Sequence, residues 1–337
     1  MDSRQVFNVP AIKEEFLDRF AELMAAAPSP GAALEGLDGG GYGIDDARQV
    51  VKSMAEGNHE PGTDSGLEAI IERFTRPVYL VQDSTFVVPP DTFPNSDVIE
   101  GHLRRARTSL EKAIPSAGRI DVRNHRLDWI GTGWVVGNDL VVTNRHVATE
   151  FARENGDGFA FRRNLNGSTV AATLDWRHEF NRSDESRFRV TEVLWIEPED
   201  SVDVAILRIA TTGETGEKVP AAIDLMSREE IDDTPPGAWV AVIGYPAYDS
   251  RNNAADQQRI FDGIFGVKRL APGQVTFSER ALLIHHDATT LGGNSGSVVF
   301  DLERGKAIAL HFGGIEGRRN QAVQAARVHE IIAEHAS

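Results

Sequence analysis

Two kinds of apolar spacing divide the chain. Up to about residue 115, apolar positions recur at helical intervals. Ile12, Phe16, Phe20, Leu23 and Met24 share one face and stop before Pro28 and Pro30, which predicts a helix over 11–27. A glycine-rich stretch, 31–43, reads as a loop. A second helix is predicted over Asp45 to Glu56. A third runs from Ser65, an N-cap candidate, to Phe74, with Leu67, Ile70, Ile71 and Phe74 on one side. PVYLVQ reads as a short strand or extended arm, and VVPPDTFP as a proline-rich link. A fourth helix, Asp97 to Ala113, presents Ile99, Leu103, Ala106 and Leu110.

From about residue 116 the pattern becomes short apolar runs separated by turns. GRIDV, GTGWVVG, DLVVTN, FAFRR, AATLDW, FRVTEVLWIE and DVAILRI form one series. WVAVIGYP, IFGVKRL, ALLIHH, GSVVFD and KAIALHFG form a second, after Pro235 and Pro236. Strands do not alternate with helices, so a parallel α/β sheet is disfavoured. Two successive antiparallel β-barrels fit better. Val328, Ile331 and Ile332 lie at helical spacing in the tail. The predicted organisation is a mainly β protein with a helical N-terminal domain and arm over 1–115. A double-barrel domain occupies 116–337, with barrel one at about 116–212, barrel two at about 220–323 and a final helix at about 321–335.

Charge narrows the choice of partners. Across 337 residues there are 51 acidic side chains and 35 basic ones, a formal charge of −16. That field repels phosphate backbones and anionic membranes, so neither nucleic acid nor membrane is an expected partner. No run approaches the length of a membrane span. The chain has no cysteine, and its first residues, MDSRQVFNVPAIKEEF, lack the apolar stretch of a secretory signal. A soluble protein of the cytosol is expected. Ten histidines without cysteine or a helical H-x-x-x-H pair suggest no metal site. No phosphate-binding loop is present either, since DGGGYG lacks a preceding strand, so no cofactor is expected.

Three segments carry the chemistry of acyl transfer. That reaction needs a hydroxyl nucleophile, a base, an acid to orient the base, and N–H donors for an oxyanion. His146 follows an apolar strand in Thr143-Asn144-Arg145-His146, read as a short polar turn. Asp203 opens the apolar run Val204 to Ile209, with Glu199 and Asp200 as weaker candidates in the preceding loop. Ser295 lies in DATTLGGNSGSVVF, where glycines permit φ > 0 and let the N–H groups of Gly293 and Ser295 converge. Taken singly, each has an ordinary reading as a surface histidine, a turn aspartate or a glycine-rich hairpin.

Together, in the order His, Asp, Ser, the segments GTGWVV, TNRHVA, DVAIL, ATTLGGNSGS and ALHFGG resemble the chymotrypsin-like (trypsin-like) serine peptidases. The similarity is greatest to the bacterial V8-like, Glu-specific endopeptidase branch, and it spans roughly residues 118–323. The resemblance implies two six-stranded barrels with the site between them. It implies His146 as general base, Asp203 as its orienter, Ser295 as nucleophile, and Gly293 and Ser295 as the oxyanion hole. Thr290 and His311 match positions that receive a substrate glutamate. The strand through Gly313 and Gly314 matches the one that pairs with substrate backbone. The absence of an aspartate at Thr289 argues against a Lys/Arg pocket, and a pocket for small or apolar side chains stays open. His285 and His286 either line that pocket or are structural. Asn294 replaces the aspartate that, in digestive enzymes, pairs with a freed N-terminus. The Arg119–Ile120 bond resembles an activation site but reads better as part of a first strand with Ile120 in the core.

The expected function is a serine endopeptidase acting on a protein or peptide substrate. A catalytically silent scaffold on the same fold is the alternative, and an esterase a third. An α/β-hydrolase is disfavoured because a strand, not a helix, comes after Ser295. The helical N-terminal region suggests regulation or recruitment of a protein partner, or simply a structural cover.

Overall fold

The computed structural model describes residues 6–26, 42–60, 65–87, 96–250, 252–278, 282–315 and 319–336. Three helices come first, α1 (Pro10–Ala26), α2 (Ile44–Glu56) and α3 (Ser65–Thr75). Their apolar faces meet in a separate small core. There the Phe16 ring lies 5.8, 5.7 and 5.2 Å from those of Phe7, Phe20 and Phe74. Burying each such ring contributes roughly 2–3 kcal/mol. Most of the glycine-rich stretch and of the proline-rich link lies outside the described residues.

The predicted arm is a hairpin, β1 (Tyr79–Gln82) and β2 (Thr85–Val87). Asp83 and Ser84 turn it with positive φ, the geometry that matches strand twist in two-residue hairpins. The fourth predicted helix is two, α4 (Asp97–Arg105) and α5 (Arg107–Ala113), because Ala106 leaves helical ψ. Ile99, Leu103 and Leu110 pack with Tyr79 and Val81 into a core that also holds Trp134, Ile206, Ile243 and Val298. The hairpin and these two helices therefore share their interior with strands of both barrels.

Barrel one is closed and antiparallel. It comprises β3 (Ala117–Arg123), β4 (Trp129–Val135), β5 (Leu140–Thr143), β8 (Ala171–Asp175), β9 (Arg187–Ile196) and β10 (Ala205–Ile209). Helix α6 (Arg145–Phe151) and the hairpin β6 (Ala152–Asn155)–β7 (Gly158–Phe161) are inserted after β5. Helix α7 (Arg228–Asp232) leads to barrel two, and α8 (Ala254–Phe261) interrupts it. Its strands are β11 (Trp239–Gly244), β12 (Arg269–Ser278), β13 (Leu283–His286), β14 (Val298–Asp301), β15 (Lys306–Ile315) and β16 (Arg319–Gln324). They run in the order β11-β14-β15-β16-β13-β12, and pairing of β11 with β12 closes the ring. The arm joins this sheet through Tyr79 opposite Leu270 and Leu80 opposite Arg269.

Two further elements differ from the sequence pattern. The final helix, α9 (Ala325–His335), starts later than expected, because residues 321–324 belong to β16. There Ala322 and Val323 are held between β13 and β15. The run IFGVKRL is not a strand. Its last two residues open β12, which continues through Pro272 and Gly273. Gly273 is required because a Cβ there would strike the Ala288 backbone. Ile120 is fully buried in the middle of β3, so the Arg119–Ile120 bond lies inside a sheet. Among the described residues, no helix is long and apolar enough to cross a membrane.

Candidate active site

His146 is not in a turn as the sequence suggested. It is the second residue of α6, whose N-cap is Asn144. Asn and its short polar relatives favour that position because their side chains compete with helical hydrogen bonding. Here the Asn144 amide is used across the chain, donating to the Asp203 carbonyl at 2.8 Å. Arg145 donates to the carbonyls of Pro198, Ser201 and Val202. The residues on the N-terminal side of His146 thus hold the loop that carries Asp203. Asp203 lies two residues before β10 rather than at its first position.

The His146 and Asp203 side chains meet, with Nδ1 to Oδ2 at 2.6 Å. The other carboxylate oxygen accepts the His146 backbone N–H at 3.0 Å. Short contacts of this kind are typical when one partner is charged. Glu199 and Asp200 are exposed in the loop, away from this contact.

Ser295 lies in the turn between β13 and β14. Gly293 and Gly296 flank it with φ of 85° and 86°. Both are positions that a side chain would block: a Cβ on Gly293 would meet the Tyr245 carbonyl and the Trp129 ring, and one on Gly296 the Thr132 carbonyl. Thr132 of β4 ties the turn to barrel one. Its N–H donates to the Ser295 carbonyl at 2.8 Å and its hydroxyl to the Gly293 carbonyl at 3.1 Å. Among the described residues, the N–H groups of Gly293 and Ser295 find no acceptor. Buried or half-buried backbone donors are seldom left so.

Gly131 is the close approach between the two halves of the site. A Cβ there would sit 2.9 Å from Val147, next to His146, and 3.0 Å from the Ser295 carbonyl. Among the described residues, no hydrogen bond joins the Ser295 hydroxyl to the imidazole. Such contacts commonly tighten only with substrate present. Asn294 is buried and bonds within its own turn, accepting from the Ser297 hydroxyl at 3.5 Å.

Thr290 lies in the loop before Ser295, His286 on β13, and His311, Gly313 and Gly314 on β15. Thr290 donates to Asn320 Oδ1 at 2.8 Å, and Asn320 in turn donates to the Ala288 carbonyl at 2.6 Å. His311 is buried, its Nδ1 3.2 Å from Nε2 of His286. Burial, with the neighbouring charge of His285, pushes the His286 pKa down to about 3. Burial, then the proximity of His286 and His146, holds His311 well below the ordinary histidine range. Both rings are therefore neutral at pH 7. Pairing of β15 with β14 ends at Leu310, while Gly313 and Gly314 pair only with β16, leaving one edge of that segment unpaired among the described residues.

Sequence reasoning overlooked Thr132, Asn320 and the His286–His311 contact. Thr132 lies inside the GTGW run, but nothing in a strand pattern says which backbone its hydroxyl will reach. Among the described residues, no group of three or more His, Cys, Asp or Glu side chains could hold a metal ion.

Residues 131–310 match the model of the trypsin-like peptidase domain. The chain is 33% identical over 305 residues to a Lysobacter enzymogenes protein named as a probable serine protease, covering 82% of this chain and 77% of that one. The crystal structure of the Rv3671c protease in its inactive form aligns with 70% of this chain and 96% of its own, at 18% identity and a TM-score of 0.41.

Proposed function

The chain belongs to the trypsin-like peptidase family of serine proteases, and from that premise we propose that it is an endopeptidase working through Ser295, His146 and Asp203. His146 Nε2 takes the Ser295 proton as Oγ attacks the scissile carbonyl. The imidazolium is stabilised and oriented by Asp203. Negative charge on the carbonyl oxygen is met by the N–H groups of Gly293 and Ser295, each worth about 3–4 kcal/mol in such sites. His146 then returns the proton to the leaving amine. Water, deprotonated by the same ring, hydrolyses the acyl-enzyme. The observation that carries this reading is the 2.6 Å contact between Asp203 Oδ2 and His146 Nδ1.

The pocket reading favours an acidic residue before the cleaved bond. Among the described residues, His286 has no partner for Nδ1. An orphaned acceptor is less damaging there than an orphaned N–H. His286 therefore donates from Nε2 to His311 Nδ1, which puts the His311 proton on Nε2. A neutral imidazole N–H at His311 suits a carboxylate, and the Thr290 hydroxyl could join it by turning its one proton from Asn320 Oδ1 to the substrate. The unpaired edge at Gly313 and Gly314 would add the substrate backbone as a further strand.

Cleavage-site profiling in a mixed peptide library tests both levels, with Ser295→Ala as the blank. Expected are cuts after Glu or Asp that vanish in the variant. An intact chain that neither cleaves any peptide nor reacts with a fluorophosphonate at Ser295 would leave a silent scaffold as the answer.

A further inference from the structure

Arg76 comes directly after α3 and lies well upstream of the residues 131–310 that match the peptidase family. It is nevertheless 1% exposed, and Asp287, its partner beyond β13, is 2% exposed. Arg76 Nε donates to Asp287 Oδ1 at 2.8 Å, and a terminal nitrogen reaches Oδ2. The same nitrogen donates to Gln274 Oε1 at 3.2 Å, and the guanidinium lies 5.5 Å above the Trp239 ring. Asp287 also accepts the Gln274 backbone N–H at 2.6 Å.

A second contact lies two residues further along. The Thr289 hydroxyl is 2.9 Å from the Arg76 carbonyl and 3.0 Å from Glu72 Oε1 on α3. A hydroxyl has one proton, so it cannot donate to both. Burial raises the Glu72 pKa to about 7. A protonated Glu72 can donate to Thr289 while Thr289 donates to Arg76. Both contacts of the Thr289 hydroxyl are then satisfied.

Residues 287–295 run without regular structure from this joint to Ser295. Asn294 offers no charge to anchor the turn from within. A buried ion pair is poor evidence of added stability, since an apolar pair of the same shape often does as well. What it supplies is geometry, through a fork that fixes a carboxylate in plane. We propose that Arg76 is a positioning residue for the reaction, holding Asp287 and Thr289 so that Thr290, Gly293 and Ser295 are presented correctly. The stretch from α3 to β1 is on this view part of the catalytic unit. The proposal rests on Ser295 being the nucleophile.

The test uses the full chain with Arg76→Ala, Arg76→Lys and Thr289→Val. The readouts are kcat and KM on a cleaved peptide, the rate of fluorophosphonate labelling at Ser295, and circular dichroism. A misplacement of about 1 Å is worth on the order of 100-fold. Arg76→Ala, assayed below its melting temperature, should lose about that factor in kcat and in labelling rate, with KM less affected. Arg76→Lys, keeping the charge without the fork, should recover part of it. Millimolar guanidinium should restore activity to Arg76→Ala alone. If Arg76→Ala does not fold, Thr289→Val decides, with an expected fall of about tenfold in kcat while the ion pair remains.

Wild-type kcat and labelling in folded Arg76→Ala would overturn the proposal. So would wild-type kcat in Thr289→Val should Arg76→Ala be unfolded. A wild-type chain that never labels at Ser295 would instead refute the endopeptidase reading itself.

Discussion

Asp203 grips His146 twice, with one carboxylate oxygen on the imidazole Nδ1 and the other on the backbone N–H of the same residue. The carboxylate therefore sets both the ring's tautomer and the start of the helix that carries it. Asn144 and Arg145 close the arrangement by holding Asp203's own loop. Asp203→Asn keeps the shape but presents an amide where an acceptor is needed. Its kcat is expected to fall about 10⁴-fold, with thermal stability nearly unchanged. Steady-state kinetics beside a melting curve would check this. A loss below tenfold would move the orienting role elsewhere.

Thr132 reaches from barrel one to the carbonyls of Gly293 and Ser295. Thr132→Val retains the N–H bond and the side-chain volume but drops the hydroxyl's bond to Gly293 and its acceptance of the Tyr245 N–H at 3.3 Å. The expected stability loss is about 1 kcal/mol. A tenfold decrease in kcat should accompany it if the turn shifts by a fraction of an ångström. Unchanged kcat would mean that the backbone bond alone sets the turn.

Gly293 has no room for a methyl group and a φ that L residues avoid. Gly293→Ala should displace one oxyanion donor, lowering kcat by about 10²–10³. Labelling by a fluorophosphonate, which also needs the donor, should slow in parallel. Normal labelling would exclude this N–H from the site.

The His286–His311 pair makes stability pH-dependent. With a folded pKa of about 3 for His286 against about 6.5 unfolded, the unfolded chain binds the extra proton between those values. Stability is therefore full above pH 6.5 and falls as pH drops toward 3. The slope approaches about 1.4 kcal/mol per pH unit for each histidine affected. Urea unfolding at pH 7 and pH 4.5 should show it, and His286→Gln should flatten the slope. Equal slopes in both proteins would assign the effect to other groups.

Lys268 is fully buried, where it donates to the carbonyls of Ile114 and Trp176 and pairs with Glu179 at 3.5 Å. Burial lowers its pKa to about 8. Lys268→Met takes the lysine donor away from the Glu179 carboxylate and two carbonyls, which should remove about 3–5 kcal/mol. Chemical denaturation would measure it, and a loss under 1 kcal/mol would show that water takes over the lysine's bonds.

What could be read along the chain was what depends on local spacing. Apolar runs such as AILRI in β10, buried at Ala205, Ile206, Leu207 and Ile209, and the helical spacing in α2, α3 and α9 reflect backbones that must bury their apolar side chains, and that requirement is written residue by residue. Taken singly, the His, Asp and Ser segments read as ordinary turns and hairpins, and it was their order and their resemblance to the serine peptidases that marked them as a candidate site. Local spacing was blind to partners distant in the chain. Residues 321–324 fit a helix until β13 and β15 claimed their backbone, and Pro272 concealed a strand whose neighbours tolerate it. Nothing in the spacing around Arg76, between Thr75 and Pro77, points to its partner 211 positions away. Such pairs arise from chain closure in three dimensions, where desolvation forces each buried charge to find whatever opposite group the packing brings near.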